Sequence, residues 1–241
     1  MNLSVRLQTA ASFVTEGSRF ADIGTDHGYL PIDLCGRGIV PMAIAMDVRK
    51  GPLDHARENI ELHGLSQKIE TRLSDGLEKL SPGEVDSIAV TGMGGLLIRK
   101  ILAARPEVCE RLSEMILGPQ SETGELRRYL YRHGFVIDRE EMILEDGKYY
   151  PILHCTRYHE ENVNNVTGAV NSTCHLEMEF GPCLLRDRNP VLYKYLEWRR
   201  KVAENILDKL QKGDSEHASR RLLEVKEEMQ LIEAAMKKYE M

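Results

Sequence analysis

Acidic residues, glycines or both occur in four short segments, each following an apolar run that is typical of a buried strand. The segments are Asp22-Ile23-Gly24-Thr25-Asp26-His27-Gly28, Met46-Asp47, Ser74-Asp75-Gly76-Leu77 and Thr91-Gly92-Met93-Gly94-Gly95. Because parallel strands end at one edge of a sheet, the four segments are expected to line one ligand-binding crevice. Glycine at a strand end lets the backbone turn sharply and leaves room for a ligand.

The acidic residues indicate which ligand would fit. A dinucleotide site needs the pattern G-x-G-x-x-G, but Thr25-Asp26 stands where glycine is required, and Asp26 would repel a diphosphate. S-adenosylmethionine has no phosphate and carries a sulfonium cation, so an acidic loop favours it. Asp47 is placed to accept hydrogen bonds from both hydroxyls of an adenosine ribose, and Asp75 from the exocyclic amine of the adenine.

Each segment also has a purely structural alternative. A turn between strand and helix would explain Gly24 without a ligand, and an N-cap would explain Asp47. Asp75-Gly76 is often only a turn. Glycines that pack the next helix against the sheet would explain residues 92–95.

Alternating apolar runs and helical patterns predict the elements that position these segments. Strands are predicted at 20–23, 42–46, 69–73, 86–91 and 114–117, and helices near the N-terminus and at 52–63, 96–112 (broken near Pro106) and 122–133. Two β-rich runs, 136–144 and 149–158, are joined by the turn signal Glu145-Asp146-Gly147. The pattern predicts an α/β fold whose mainly parallel sheet has an antiparallel edge.

The character of the chain changes after residue 158. Residues 159–175 are polar and rich in asparagine, which predicts a linker or loop. Apolar positions then recur at alternating spacings of three and four in two runs, Leu192 to Leu210 and Ala218 to Met236. This spacing predicts an antiparallel helical hairpin with a coiled-coil seam. We therefore predict two domains, 1–158 and 159–241.

Composition limits the function classes. No apolar run approaches the roughly 20 residues needed to cross a bilayer, and the N-terminus lacks a secretory apolar core, so a cytoplasmic protein is expected. The five cysteines are scattered without a CxxC pair, and no metal is expected. A net charge of −6 argues against a nucleic-acid partner only if it is evenly spread, because phosphate binding depends on local patches.

Taken together, the segments resemble the bacterial tRNA methyltransferases that modify N1 of adenine 22. The similarity extends to Tyr29-Leu30-Pro31, Leu117-Gly118-Pro119-Gln120, Leu126-Arg127 and Tyr149-Tyr150-Pro151. Thr25 and Gly28 are conservative departures from the family pattern. The resemblance implies a class I, Rossmann-like methyltransferase fold with S-adenosyl-L-methionine as cofactor, tRNA as partner and a C-terminal helical domain that helps hold it. A monomer is expected.

The family motifs also assign site residues. The resemblance implies that the cofactor pocket is lined by Gly24, Asp26, Asp47, Asp75, Gly92 and Met93. The adjacent residues His27, Val48 and Gly76 are also expected to bind the cofactor. Asp26 is also the expected catalytic residue, although holding the methionine amino group is an equal alternative role. Contacts with tRNA are expected from Tyr29, Arg127, Arg199, Arg200, Lys201, Arg220 and Arg221, where the alternatives are a partly buried tyrosine and a solvated helix surface.

Other functions remain open on the sequence alone. A class I methyltransferase could act on another RNA site, a small molecule or a protein. A nicotinamide-dependent oxidoreductase could use a similar sheet, although the missing G-x-G-x-x-G disfavours it. A non-catalytic RNA-binding scaffold is disfavoured by intact acidic and glycine positions at four predicted strand ends.

Overall fold

The computed structural model describes residues 3–158, 175–210 and 216–240. The chain divides into two compact units, residues 1–172 and 173–241. The predicted linker at 159–175 lies almost wholly outside the described residues. The domain boundary at 158/159 therefore stays a prediction.

The first unit is built on a sheet of five parallel strands and one antiparallel hairpin. The strands are Phe20–Ile23 (β1), Ala43–Asp47 (β2), Ile69–Leu73 (β3), Ser87–Met93 (β4), Glu114–Pro119 (β5), Phe135–Glu145 (β6) and Lys148–Arg157 (β7). The helices are Val5–Ala11 (α1), Tyr29–Gly36 (α2), Lys50–Leu62 (α3), Gly95–Ala104 (α4), Pro106–Cys109 (α5) and Thr123–Arg132 (α6). The helix predicted over 96–112 is thus two helices, because proline at 106 cannot continue α4.

The strand order determines where a ligand can bind. It is β3-β2-β1-β4-β5-β7-β6, with parallel pairing from β3 to β5 and antiparallel pairing of β7 with β5 and β6. The chain builds outward from β1 to β3 and then returns to add β4 on the other side of β1. The carboxyl ends of β1 and β4 therefore flank a topological switch point. The predicted class I α/β fold with an antiparallel edge is confirmed.

A partly buried charged network ties the hairpin to the parallel strands. His154 on β7 lies 2.6 Å from Asp138 through Nδ1 and 2.9 Å from Glu114 on β5 through Nε2. The pairing register shifts between Ile137 and Arg139, so Asp138 lies at a β-bulge. Glu114 also accepts hydrogen bonds from the backbone and hydroxyl of Thr15, at 2.9 and 2.6 Å, which fixes the loop after α1.

The network holds a charged imidazolium inside the fold. Burial acts to lower the pKa of His154, but hydrogen bonds with Asp138 and Glu114 outweigh it and raise the pKa to about 9. The two carboxylates therefore favour the protonated ring over the neutral one.

The second unit consists of short helices and a long helix pair. The elements are His175–Phe180 (α7), Pro182–Arg186 (α8), Pro190–Leu210 (α9) and Glu216–Lys237 (α10). Arg199 on α9 pairs with Glu228 on α10 at 2.7 Å, and Tyr239 beyond α10 donates to the carbonyl of Asn189 before α9 at 2.9 Å. Residues with higher numbers along α9 contact residues with lower numbers along α10, so the two helices are antiparallel.

The helical pair that the spacing predicted is confirmed. Its predicted seam residues are buried at Leu192, Leu196, Ala203, Val225, Ile232 and Met236. Coiled-coil geometry stays a prediction. Among the helices that the structure describes, none is both long and apolar enough to cross a membrane.

Replacing His154 by glutamine should remove a pH-dependent part of the stability. Because its folded-state pKa is raised, the imidazolium stabilises the fold fully below about pH 6.5, and this contribution is lost as the pH rises through about 9. Between about pH 6 and 10, the free energy of unfolding in urea should fall by about 3 kcal/mol more in the unmodified protein than in His154→Gln.

The exposed His133 provides the control for this experiment. His133→Gln should keep the pH profile of the unmodified protein. Equal pH dependence in the unmodified protein and His154→Gln would show that the network does not hold a stabilising charge.

Candidate active site

A cavity of about 500 Å³ opens at the carboxyl ends of β1 to β4. This volume lies within the range of roughly 300–1,000 Å³ that is typical of small-molecule sites. Every residue predicted to bind a cofactor lines it, together with Tyr29: Gly24, Asp26, His27, Asp47, Val48, Asp75, Gly76, Gly92 and Met93. The sheet thus brings together four segments that are distant in the sequence.

The loop between β1 and α2 presents polar and aromatic side chains at the cavity. Asp26 has a φ of 53°, a left-handed conformation that costs free energy for a residue with a side chain. The Asp26 side chain is 61% exposed, and its Oδ2 lies 3.7 Å from Nε2 of His27. The His27 ring stacks on Tyr29 with centroids 5.3 Å apart. Asn59 of α3 supports the loop by donating to the carbonyl of His27 at 3.0 Å.

Two buried aspartates lie deeper in the cavity. Asp22 accepts a hydrogen bond from the Thr25 hydroxyl at 2.7 Å. Burial raises the pKa of Asp22 to about 7; the Thr25 bond opposes this rise and the nearby Asp47 carboxylate adds to it. Asp47 accepts from the backbone N–H of Arg49 at 2.8 Å and of Asp26 at 3.4 Å, so it joins the β1 loop to the end of β2. The cavity floor therefore favours a ligand with positive charge or hydrogen-bond donors.

The glycines at the strand ends have two different roles. A Cβ at Gly95 would lie 2.6 Å from the Glu122 carbonyl oxygen and 2.7 Å from that of Ser121, so Gly95 packs α4 against the loop before α6. Gly76 is likewise packed, with Ile101 2.9 Å from an added Cβ. At Gly92 the nearest atom to such a Cβ is 3.9 Å away, which leaves space for a ligand. Helix packing therefore explains the glycine at position 95, whereas the space beside Gly92 can accommodate a ligand.

Arg6 of α1 also lines the cavity, although no sequence motif predicts a role for it. Its guanidinium lies 4.7 Å from the ring centroid of Tyr150 on β7, within reach of a cation–π interaction. Its Nε is buried and has no hydrogen-bond partner in the described part of the chain. Tyr150 belongs to the Tyr149-Tyr150-Pro151 string, but no local pattern in the sequence links that string to Arg6. Asp22, Arg49 and Gln120 are further lining residues without a predicted role.

The prediction that Arg127 contacts tRNA is wrong. Its side chain is 1% exposed and donates from Nε to Glu140 at 2.9 Å. The position on α6 that looked like part of a basic surface pair faces the core of the first unit. A buried arginine paired with a buried glutamate is structural, because either charge alone would be costly.

The predicted basic residues of the second unit are mostly paired with acids. Arg199 donates to Glu228 through two nitrogens and to the Tyr195 hydroxyl through a third. The other arginines lie near glutamates on the same helix: Arg200–Glu204 at 3.7 Å, Arg220–Glu224 at 3.8 Å and Arg221–Glu224 at 2.8 Å. Lys201 is exposed. Their contacts with tRNA stay predictions. Within the described ranges, no group of three or more histidine, cysteine or acidic residues could hold a metal.

Comparison with known proteins agrees with this geometry. Residues 3–153 match the model of a methyltransferase domain family. Over 233 residues, which are 96% of each protein, the chain is 32% identical to the tRNA (adenine(22)-N(1))-methyltransferase of Bacillus subtilis. The chain belongs to this methyltransferase family. The resemblance stated from the sequence motifs is thus confirmed.

Solved structures of similar proteins extend the agreement. A Streptococcus pneumoniae protein in complex with S-adenosyl-L-methionine has a TM-score of 0.83 and 33% identity, and the match covers 98% of this chain and 100% of that one. TrmK of M. capricolum, in complex with S-adenosyl-homocysteine, has a TM-score of 0.82 and 28% identity, with 98% of both chains covered. Family members therefore bind the methyl donor and its product.

Proposed function

We propose that this chain transfers a methyl group from S-adenosylmethionine to N1 of adenine 22 in tRNA, and that it does so in the cytoplasm as a monomer. The observation that carries the proposal is the acidic cavity at the switch point, lined by the family's motif residues. Near full-length similarity to the Bacillus subtilis enzyme supports the same substrate.

The residues of the cavity fit the cofactor. S-adenosylmethionine supplies an electrophilic methyl group on a positively charged sulfur. Four aspartates line the cavity, against two arginines, so a sulfonium is favoured and a diphosphate is disfavoured. The buried Nε of Arg6, which lacks a partner among the described residues, fits a carboxylate such as that of the methionine moiety.

Each acidic residue has a proposed task. Asp47, at the end of β2, accepts hydrogen bonds from the ribose hydroxyls. Asp75, exposed after β3, accepts from the exocyclic amine of the cofactor's adenine. Asp22 is buried on β1 near Asp47, and its carboxyl adds to the negative potential of the cavity when it is ionised.

The β1 loop is suited to the target base. Transfer to N1 uses the lone pair of that ring nitrogen and breaks the bond between the methyl group and sulfur, so positive charge passes from the sulfur to the adenine and a neutral thioether is released. The carboxylate of Asp26 stabilises this charge or accepts a proton from N6. The stacked rings of His27 and Tyr29 offer a surface for the base, which must be unpaired because N1 lies on its Watson–Crick edge.

The direct test is methyl transfer from labelled S-adenosylmethionine to unmodified tRNA, followed by nucleoside mapping. The label should appear in 1-methyladenosine at position 22. The same tRNA with guanine at that position is the control and should stay unlabelled. Cofactor binding without label in any tRNA would contradict the proposed substrate, and label at another nucleotide would contradict the proposed site.

Asp26→Asn tests the role of the strained carboxylate. Asparagine also tolerates the left-handed conformation, so the loop should keep its shape. The variant should bind S-adenosylhomocysteine as tightly as the unmodified protein while turnover falls by about 100-fold or more, because the charge that stabilises the methylated base is gone. Titration calorimetry and single-turnover kinetics measure the two effects. Weakened binding with unchanged single-turnover rate would assign Asp26 to the methionine amino group instead.

Arg6→Ala tests the proposed carboxylate contact. Loss of a charge-assisted hydrogen bond should weaken S-adenosylmethionine binding by about 10- to 100-fold. Decarboxylated S-adenosylmethionine lacks only the carboxylate, so it should bind Arg6→Ala and the unmodified protein equally. Arg37→Ala removes an exposed arginine outside the cavity and is the control. Unchanged cofactor affinity in Arg6→Ala, with a raised KM for tRNA, would place Arg6 against a phosphate instead.

A further inference from the structure

The positive charge of four arginines of the second unit is partly neutralised, because an acidic side chain lies close to each of them. They are Arg199, Arg200, Arg220 and Arg221. Three lysines of α9 differ from them. Lys194, Lys201 and Lys209 are exposed, and none forms an ion pair within residues 3–158, 175–210 and 216–240. The available cations of this helix are therefore its lysines.

The lysines share one face of α9 with two other exposed side chains. Positions 194, 198, 201, 205 and 209 follow spacings of four, three, four and four, which place them along one side of a helix. We call Lys194, Trp198, Lys201, Asn205 and Lys209 the lysine–tryptophan stripe. The buried residues of α9, Leu192, Leu196 and Ala203, lie on the opposite side. The acids Glu197, Glu204 and Asp208 lie to one side of the stripe.

Trp198 is the chain's single tryptophan and is 49% exposed. Its ring lies 5.8 Å from that of Tyr195, and Val202 one turn further on is 36% exposed. A half-exposed indole leaves apolar surface in water, which a binding partner would cover. Aromatic rings between cations are the pattern by which proteins bind unpaired nucleotides, with the ring stacking on a base and the cations contacting phosphates.

We propose that the lysine–tryptophan stripe binds tRNA, with Trp198 stacking on an unpaired base and the three lysines contacting phosphates. The proposal rests on the proposed function for the choice of RNA. Charge complementarity favours RNA over an apolar protein surface, because the exposed Lys194 and Lys201 lie on either side of the ring and Lys209 continues the same face. The lysines span about 22 Å along the helix, so they follow a length of backbone rather than a single phosphate.

Trp198 supplies its own probe, because tryptophan fluorescence from this chain has one source. Adding unmodified tRNA to the full chain should quench that fluorescence in a saturable manner. In gel-shift measurements Trp198→Ala should bind tRNA about tenfold more weakly, and Trp198→Phe, which keeps a stacking ring, should stay within about threefold. Affinity for S-adenosylhomocysteine should not change in either variant. Leu223→Ala, which removes a 60% exposed apolar side chain from α10, is the matched control and should bind tRNA normally.

The lysines are tested through salt dependence. In the triple variant Lys194→Gln, Lys201→Gln, Lys209→Gln, the slope of log affinity against log salt concentration should become shallower by about 2 to 3, close to one unit per lost phosphate contact. The triple variant Lys226→Gln, Lys237→Gln, Lys238→Gln loses the same charge from exposed positions on α10 and directly after it, and should change the slope less.

Several outcomes would contradict tRNA binding by the lysine–tryptophan stripe. Normal tRNA affinity in Trp198→Ala, or tRNA binding without a change in fluorescence, would show that Trp198 does not stack on the RNA. Neither outcome would contradict the proposed methyltransferase function. Fluorescence that responds to protein concentration instead of tRNA assigns the surface to a second copy of the chain. If the protein binds S-adenosylhomocysteine but neither binds nor methylates tRNA, the proposed function has failed and the stripe fails with it.

Discussion

The parallel pairing of β1 with both β2 and β4 is the constraint on which the site depends. A one-residue slip of the fully buried strands β1 and β2 would move every side chain to the opposite face of the sheet and disrupt the packing of the core. The pairing therefore fixes the ends of these strands relative to one another. The Asp26 loop, Asp47 and Gly92 come into one cavity because backbone hydrogen bonds within the sheet set their positions.

Around this rigid frame the supporting elements come from distant parts of the chain. The network of Glu114, His154 and Asp138 holds the hairpin to the sheet and fixes Thr15 after α1. The hairpin in turn carries Tyr150, whose ring lies against Arg6. The one cation that α1 contributes to the cavity is thus positioned by packing at the antiparallel edge of the sheet.

The sequence predicted most of the fold because its signals are local. Apolar runs that end in Gly24 or Asp47 mark strand ends, and spacings of three and four mark α9 and α10. The errors came from long-range packing. Nothing near Arg127 in the sequence shows that Glu140, thirteen residues later, would bury its charge. Arg6 and Tyr150 are separated by most of the first unit, so their contact is absent from any local pattern. Likewise, the roles of Gly92 and Gly95 differ only in what lies opposite them.

The raised pKa of Asp22 has a consequence for the proton balance of the cavity. A carboxyl with a pKa of about 7 is half protonated near neutral pH, whereas the same group in the unfolded chain would be fully ionised. A cation entering the cavity favours the ionised form and expels the proton. Near pH 7, binding of a cation therefore releases a proton from those molecules in which Asp22 is protonated. The affinity for a cationic ligand should thus rise with pH through about 7, because a larger share of the carboxyls is then already ionised.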